Sequence, residues 1–251
     1  MTGMPDLTRK RFELYAQLPG FQFKVKRAQG RVADWLAHVQ RPYIAFSSGK
    51  DSTCVLALVR EQRPDAMAVY LDADCSFPES GELLDQTPNC LRFPCDEPFL
   101  DTLERFGLDA NPKQLDRATM QSTVWGPIRR LLEEYKFDGV AYGLRADECR
   151  GRAMHAYKRG GVFQYKRDDT WGCQPIWDWT YNDVWAFIVT QNLPYCGTYD
   201  RMWDMPEEDQ RVSYWAGETK RTYGRYAWLK RNYPELFQKL AARIPEVNSY
   251  V

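Results

Sequence analysis

Histidine is scarce in this chain, since only His38 and His155 occur among its 251 residues. The seven cysteines include no Cys-x-x-Cys pair. A tetrahedral zinc site and acid–base catalysis centred on histidine are therefore hard to assemble, because both depend on suitably placed His and Cys side chains. The scattered cysteine spacing also gives no support to an iron–sulfur cluster. We expect reduced thiols, with cysteine as the more reactive type of side chain.

Net charge is missing too, because 34 Lys and Arg residues balance 34 Asp and Glu residues. No global field attracts nucleic acid or an anionic membrane, so any nucleic-acid contact has to be local. No stretch approaches the roughly 18 consecutive apolar residues that a membrane span needs, and the first residues lack the pattern of a secretion signal. We therefore expect a cytoplasmic protein without membrane contact. The 14% of aromatic residues favour a folded chain over a disordered one.

Internal repeats, low-complexity tracts and Gly/Ser linkers are absent, so the simplest partition has three parts. These are a helical lead-in (1–40), a central α/β region (41–200) and an aromatic-rich C-terminal helical extension (201–251) packed on the same domain. In the lead-in, Val25, Val32, Trp35 and Leu36 have the spacing of an amphipathic helix.

Short apolar runs alternate with helical patterns in the central region. The predicted strands are Tyr43–Phe46, Ala66–Leu71, Cys90–Phe93 and Gly139–Tyr142. The predicted helices further along are Glu79–Gln86, Val124–Tyr135, Asn182–Gln191, about 217–232, and Pro234–Arg243. This alternation predicts a parallel, twisted sheet flanked by helices, with ligands at the carboxyl ends of the strands.

The strongest motif is the loop Ser47-Ser48-Gly49-Lys50-Asp51-Ser52-Thr53, between the first strand and a helix. Small residues let backbone N–H groups approach an anion, and the helix N-terminus adds a favourable partial charge. A plain turn with an N-cap serine is the alternative. The loop is not a Walker P-loop, because Asp51 follows Lys50 and Ile44 stands where the first glycine belongs. We predict a phosphate cradle of another nucleotide-binding class.

This loop resembles the PP-loop of ATP pyrophosphatases, usually Ser-Gly-Gly-x-Asp-Ser, with Ser48 in place of the first glycine. Three further segments resemble motifs of the phosphoadenylyl-sulfate reductase family. Leu71–Ser80 resembles the family motif Asp-Thr-Gly-x-x-Phe-Pro-Glu-Thr, and Gly143–Arg152 resembles the family motif Gly-x-Arg-x-x-Glu-Ser-x-x-Arg. The third segment is Pro175–Thr180, which is followed by Leu193–Tyr195. The resemblance covers about residues 43–200 and implies an adenine nucleotide alpha hydrolase-like fold.

The resemblance also implies ATP and Mg²⁺ as ligands, with Asp51 positioning the metal ion. The implied nucleotide-binding residues are Ser47, Ser48, Gly49, Lys50, Asp51, Ser52, Thr53, Asp72, Gly143, Arg145, Glu148 and Arg152. Of these, Lys50, Asp51 and Arg145 are also predicted to act in catalysis. Cys149 is also predicted to act in catalysis, because it stands where the family usually has Ser. The alternative, that Cys149 is an inert thiol, carries equal weight. Cys75 and Cys196 are weaker candidates for carrying sulfur.

Reductases of this family use a nucleophilic cysteine in a C-terminal Glu-Cys-Gly-apolar-His signature, and this chain has no cysteine after Cys196. The absence leads us to expect a PP-loop ATP pyrophosphatase instead. It would cleave ATP to AMP and pyrophosphate and so adenylate a substrate for sulfur transfer, in DNA phosphorothioate modification. The alternatives are a thiol-dependent phosphoadenylyl-sulfate or adenylyl-sulfate reductase, and a non-catalytic nucleotide-binding subunit.

The expected partners follow from that interpretation. A cysteine desulfurase or another sulfur donor would supply sulfur. The basic and aromatic segment Lys220–Arg231 is the candidate for local contact with DNA or RNA, with the buried stripe of a solvated helix as the alternative. A homodimer is one option for the assembly.

Overall fold

The structure, a computed structural model, describes residues 3–107, 112–166, 169–213 and 225–251. The helices are α1 (Asp6–Tyr15), α2 (Pro19–Leu36), α3 (Lys50–Gln62), α4 (Pro78–Asp85), α5 (Phe99–Phe106), α6 (Pro112–Met120), α7 (Gly126–Tyr135), α8 (Arg150–Arg159), α9 (Tyr181–Thr190), α10 (Arg225–Asn232) and α11 (Pro234–Arg243). The strands are β1 (Pro42–Ala45), β2 (Met67–Asp72), β3 (Cys90–Pro94), β4 (Gly139–Tyr142), β5 (Val162–Gln164) and β6 (Trp171–Cys173). None of the helices in these ranges combines the length and the apolar character needed to cross a bilayer.

The strands of the described residues form one six-stranded sheet in the order β3-β2-β1-β4-β6-β5. Strand β1 pairs in parallel with β2 on one side and with β4 on the other. The β2/β3 and β4/β6 pairs are also parallel, and the edge strand β5 runs antiparallel to β6. The predicted α/β class with a mostly parallel sheet is therefore confirmed. The direction of the strand order reverses beside β1, and sheets of this kind bind ligands at such a reversal.

A single hydrophobic cluster joins the lead-in, the sheet and the C-terminal helices. It contains Phe12 and Trp35 from α1 and α2, Ile44 from β1, Trp185 from α9 and Leu240 from α11. All five side chains are 0% exposed. Burial of each large apolar side chain stabilises the fold by about 1.5–3 kcal/mol, so the two ends of the chain contribute directly to the stability of the sheet.

The structure contains several elements that were not predicted, namely the helices α5, α6 and α8 and the three-residue strands β5 and β6. The two strands were missed because strands this short show no measurable periodicity. Residues 217–224 of the predicted helix at about 217–232 lie outside the described residues, and α10 is its described part.

The predicted helix Val124–Tyr135 is part of a longer helical segment that begins at Pro112 and contains a π-helical turn, Gln121–Trp125. Pro127 has no N–H to offer the Thr123 carbonyl, which lies one turn earlier. That carbonyl instead accepts a hydrogen bond from Cys95 Sγ at 3.3 Å. The interrupted hydrogen-bond ladder explains why a single periodic pattern did not mark the whole segment.

The lead-in is attached to α9 through the carboxylate of Asp183, which is fully buried. It accepts hydrogen bonds from Lys24 Nζ at 2.6 Å and from the Tyr15 hydroxyl at 3.1 Å. It also accepts from Thr180 N at 2.6 Å, which caps α9. One charged group therefore holds two lead-in helices and a helix N-terminus together.

We expect Asp183→Asn to lower the free energy of unfolding by roughly 2–4 kcal/mol, because it removes the charge while the buried donors remain. Urea denaturation of the purified protein measures the change. The matched control is Asp65→Asn, which removes an exposed ion pair with Arg63 and is expected to cost less than about 1 kcal/mol. An equal loss in the two variants would contradict this role of Asp183.

Candidate functional site

The loop between β1 and α3 is closed by its own hydroxyl groups. Ser52 Oγ accepts a hydrogen bond from Ser47 N at 3.1 Å and donates to Gly49 O at 2.9 Å. Thr53 Oγ1 donates to the same Gly49 carbonyl at 3.1 Å. Ser48 has φ +57°, in the left-handed region that favours glycine, which is the residue the family usually has there. The serines and the threonine therefore hold the shape of the loop at the N-terminus of α3.

The Asp51 carboxylate, which is 17% exposed, sits between two cations at the end of the loop. Asp51 Oδ1 accepts from Arg145 Nε at 2.5 Å, and Asp51 Oδ2 lies 3.2 Å from Lys50 Nζ. Arg145 also donates through Nη1 to both oxygens of Asp147 at 2.7 Å. The Lys50 and Arg145 side chains are each 6% exposed. The network connects the first turn of α3 with the segment that follows β4.

The charges of this network decide the protonation of Asp51. Burial by itself raises the pKa of the carboxyl, but the positive charges of Lys50 and Arg145 outweigh it and hold the pKa below its ordinary value. Burial likewise lowers the pKa of Arg145, and the carboxylates of Asp51, Asp147 and Glu148 more than reverse that effect. Asp51 is therefore an anion and Arg145 a cation at neutral pH.

Gly143 allows the end of β4 to approach the backbone of α3. A Cβ atom at this position would lie 2.8 Å from Asp51 C and 2.9 Å from Ser52 N. Both are backbone atoms, which cannot rotate away as a flexible side chain can. The glycine therefore permits the close contact that brings Arg145 to Asp51.

These segments border a cleft of about 420 Å³ at the carboxyl ends of β1, β2 and β4. Ala45, Val69 and Leu144 give it apolar surface, and the loop gives it polar surface. The predicted residues that line it are Ser47, Gly49, Lys50, Asp51, Ser52, Gly143, Glu148 and Arg152. The structure thus brings together residues that are about 100 positions apart in the sequence.

Other predicted residues lie near the cleft but do not line it. Ser48 and Thr53 are buried within the loop and α3. Asp72 accepts a hydrogen bond from Asp74 N at 3.0 Å and lines a separate pocket of about 250 Å³. Arg145 lies behind Asp51 and lines a larger adjoining cavity of about 770 Å³, whose wall also includes Arg152.

Arg152 and Cys149 stand at the start of α8. Glu148 accepts hydrogen bonds from Arg145 N at 3.1 Å and from Arg152 Nη1. Cys149 is the N-cap residue of α8 and is exposed. Its Sγ lies 4.0 Å from the position that a Cβ atom on Gly151 would take, and Gly151 lines the larger cavity. Cys149 itself lines neither cavity, but its thiol is accessible and its neighbour Glu148 lines the loop cleft.

The remaining cysteines are less accessible. Cys54, Cys75, Cys173 and Cys196 are buried, and Cys90 and Cys95 are partly buried. Burial raises the pKa of Cys95 to about 12 and also raises the pKa of Cys196. Cys196 Sγ lies 3.5 Å from Ser80 Oγ and 3.4 Å from Thr198 Oγ1, away from solvent.

Tyr199 is a cleft residue that sequence reasoning missed. Its side chain is buried, and its hydroxyl accepts a hydrogen bond from Lys50 N at 3.1 Å. Burial raises the pKa of this hydroxyl well above its ordinary value, so it stays protonated. The residue lies next to the Leu193–Tyr195 block, but only the folding of the chain over the loop places it at the cleft.

The predicted role of Asp51 as a Mg²⁺ ligand does not fit this arrangement, because both of its oxygens already face cations. Within residues 3–107, 112–166, 169–213 and 225–251, no three His, Cys, Asp or Glu side chains converge as a metal site would require.

The basic and aromatic segment Lys220–Arg231 is only partly described, because residues 214–224 lie outside the described residues. In the described part, Tyr226 is 1% exposed, and Trp228 Nε1 donates to Arg201 O at 3.0 Å. Contact of this segment with DNA or RNA stays a prediction.

The strand order and the loop after β1 together define a PP-loop-type α/β fold. Residues 41–205 match the phosphoadenosine phosphosulfate reductase domain family. The chain therefore belongs to that family.

Two curated relatives extend the similarity beyond the domain. The phosphoadenosine 5′-phosphosulfate reductase of Xanthomonas axonopodis pv. citri is 29% identical over 240 residues, which cover 84% of this chain and 94% of the relative. The adenosine 5′-phosphosulfate reductase of Shouchella clausii is 28% identical over 203 residues, covering 74% and 81%.

The fold is also similar to the crystal structure of phosphoadenylyl-sulfate reductase from Candida auris in its phosphate complex. The TM-score is 0.55 at 14% identity, covering 84% of this chain and 98% of the other. At this identity the likeness supports the fold alone.

The expectation of an ATP pyrophosphatase for sulfur transfer in DNA modification is wrong in view of these relatives, which are named reductases. It depended on the missing C-terminal cysteine signature. One missing signature does not identify the reaction, because the nucleotide half of the site is common to both chemistries and another thiol can serve as nucleophile. The alternative reductase interpretation agrees better with the relatives.

We expect Gly143→Ala to lower the free energy of unfolding by roughly 1–3 kcal/mol, since the added methyl group forces β4 and α3 apart. The control, Gly30→Ala in the middle of α2, meets no atom within 4 Å and should raise stability by about 0.5–1 kcal/mol. Thermal and urea unfolding measure both. A neutral Gly143→Ala would show that the close approach is not required.

We expect a single cysteine, Cys149, to react rapidly with 5,5′-dithiobis(2-nitrobenzoate) in the native protein at pH 8. The other thiols are shielded, and those with raised pKa values stay protonated at this pH, whereas the reagent reacts with the thiolate. Absorbance at 412 nm follows the reaction. Cys149→Ser should remove the fast phase and Cys90→Ser should keep it; the reverse result would contradict the assignment.

Proposed function

We propose that the protein is a thiol-dependent reductase of phosphoadenylyl sulfate or adenylyl sulfate that releases sulfite. The observation that supports it most is the convergence of the loop and Arg152 at one cleft, in a chain whose curated relatives carry these reductase names. A basic and polar wall suits the phosphosulfate group, and the apolar surface suits the adenine ring.

The nucleotide would bind with its phosphosulfate at the loop. The N-terminus of α3 offers backbone N–H groups and a favourable dipole there, and Lys50 adds a buried positive charge. Arg152, whose side chain is 37% exposed, can turn one edge of its guanidinium to an anion while Glu148 holds the other. Asp51 acts indirectly, because it positions Lys50 and Arg145.

Cys149 is the nucleophile in this proposal, since it is an exposed thiol and directly follows Glu148, which lines the cleft. A thiolate at the N-cap of α8 also faces the favourable end of the helix dipole. In the first step the thiolate attacks the sulfur atom of the sulfonyl group. The new S–S bond forms as the bond from that sulfur to the phosphate oxygen breaks. The adenine nucleotide leaves with the electron pair, and Cys149 carries a thiosulfonate, –S–SO₃⁻.

An external thiolate completes the reaction. It attacks Cys149 Sγ, expels sulfite with the bonding electrons and leaves a mixed disulfide. A second thiolate resolves that disulfide and regenerates the Cys149 thiolate. Overall, two thiols are oxidised to one disulfide while the sulfonyl sulfur is reduced to sulfite.

We expect purified protein to release sulfite from phosphoadenylyl sulfate or adenylyl sulfate when dithiothreitol is present. Cys149→Ser should lower the rate by about 100-fold or more, because the attacking thiolate is lost. Arg152→Gln should raise KM more than it lowers kcat. Cys90→Ser, on β3, serves as the control with an unchanged rate.

Two results would count against the proposal in different ways. Absence of sulfite with either nucleotide would reject the reductase. Sulfite release that survives Cys149→Ser would keep the reductase and reject Cys149 as its nucleophile.

A further inference from the structure

The larger cavity, of about 770 Å³, lies over β1 and β4. Tyr43 and Ala45 of β1 are paired in register with Val140 and Tyr142 of β4, so these four side chains point to one face of the sheet. Residues of α7 and α8 complete the walls. The volume is within the range of about 300–1,000 Å³ that is typical of small-molecule sites. The cavity therefore has room for a ligand in addition to one in the loop cleft.

The wall of this cavity is mostly apolar and aromatic. Ile128, Leu132 and Val140 line it and are only half-buried, so apolar surface of the wall stays in contact with water. Trp125, from the π-helical turn, is 48% exposed. Its side chain makes no ring contact or hydrogen bond with the residues that the structure describes. A planar aromatic ligand that stacks on this indole would remove apolar surface of both partners from water.

Hydrogen-bonding groups stand among these apolar residues. The Tyr142 hydroxyl lies 2.6 Å from the Tyr165 hydroxyl and is also hydrogen-bonded to the amide of Gln174, a residue that is 3% exposed. His155 of α8 has no hydrogen-bond partner in the described parts of the chain. Burial and the positive charge of Arg159 lower the pKa of His155, so its imidazole is neutral at pH 7 and offers one donor and one acceptor.

The charges in the wall are already compensated. Among the described residues, Arg145 and Arg152 are the charged groups that line the cavity. Arg145 pairs with Asp51 and Asp147, and Arg152 pairs with Glu148. An anionic ligand would need a cation without such a partner, and a purely aliphatic ligand would leave the imidazole and the hydroxyls without partners. The lining therefore fits an uncharged ring system with hydrogen-bonding atoms at its edge.

We propose that this cavity is a second ligand site, which binds a planar, uncharged heteroaromatic compound. The ligand stacks on Trp125 and forms a hydrogen bond with His155. The inference goes beyond the proposed reductase reaction and does not depend on it. Tyr142, Leu144 and Arg152 line both this cavity and the loop cleft, so ligands in the two places lie next to each other.

The test uses riboflavin as the probe, because it is uncharged, fluoresces, and has three fused rings with donors and acceptors at one edge. Fluorescence polarisation measures its affinity for the purified full chain with and without AMP, which is directed at the loop cleft. We expect AMP to change the affinity by less than about 3-fold, Trp125→Ala to weaken it by roughly 10-fold or more, and His155→Ala to weaken it by about 3- to 10-fold. Tyr157→Ala and Met154→Ala, at exposed positions of α8 that do not line the cavity, are the matched controls and should leave the affinity unchanged.

A second variant fills the cavity instead of removing a contact. Ile128→Trp adds volume at a half-buried position of the wall and should abolish riboflavin binding, while thermal unfolding checks that the protein stays folded. Absence of riboflavin binding to the unmodified chain would overturn the inference, as would binding that Trp125→Ala and Ile128→Trp leave unchanged. Competition by AMP would also contradict it, because the ring system would then occupy the loop cleft. The sulfite assay separates the two proposals: riboflavin binding that depends on Trp125, in a protein that releases no sulfite, supports the second site and rejects only the reductase.

Discussion

The buried contact between Asp51 and its two cations is the interaction on which the site depends. It joins the first turn of α3 to the segment after β4, and residues of both elements line the cleft. Without the carboxylate, Lys50 and Arg145 would repel each other in a region of low dielectric. Asp51 therefore allows two cations to lie close together at the loop that precedes α3.

The contact between Asp51 and its two cations also requires an unusual backbone arrangement at two positions, Gly143 and Ser48. Gly143 lets β4 reach the α3 backbone, and Ser48 adopts a left-handed conformation so that the loop can turn toward the helix. Hydroxyl groups of the loop bond to its own carbonyls, so its shape exists before a ligand arrives. A preformed cradle reduces the entropy that binding would otherwise cost.

Tyr199 and the C-terminal extension complete the wall of the cleft and also pack against the main hydrophobic cluster. Tyr199 approaches the first N–H of α3, and buried Arg225 holds the backbone around Arg211 at the rim of the cleft. The family-matched region supplies the loop and the arginines of the Gly143–Arg152 segment, and the following residues supply the outer wall. Cys149, the exposed thiol that directly follows the cleft residue Glu148, is the nucleophile that we propose in place of one from a C-terminal tail.

Local sequence was sufficient to predict the loop, the strands around it and the α/β class, because hydrophobic runs and glycine-rich turns are short-range signals. Its motifs also identified Gly143, Glu148 and Arg152 as parts of one site. Local sequence did not predict that Asp72 would line a separate pocket or that Tyr199 and Arg211 would reach the cleft. Those placements depend on how α9, α10 and the connecting segments pack over the sheet, and such long-range packing leaves no periodic pattern at the residues themselves. The tertiary structure therefore decided which side chains face the cleft and which cysteine remains exposed to solvent.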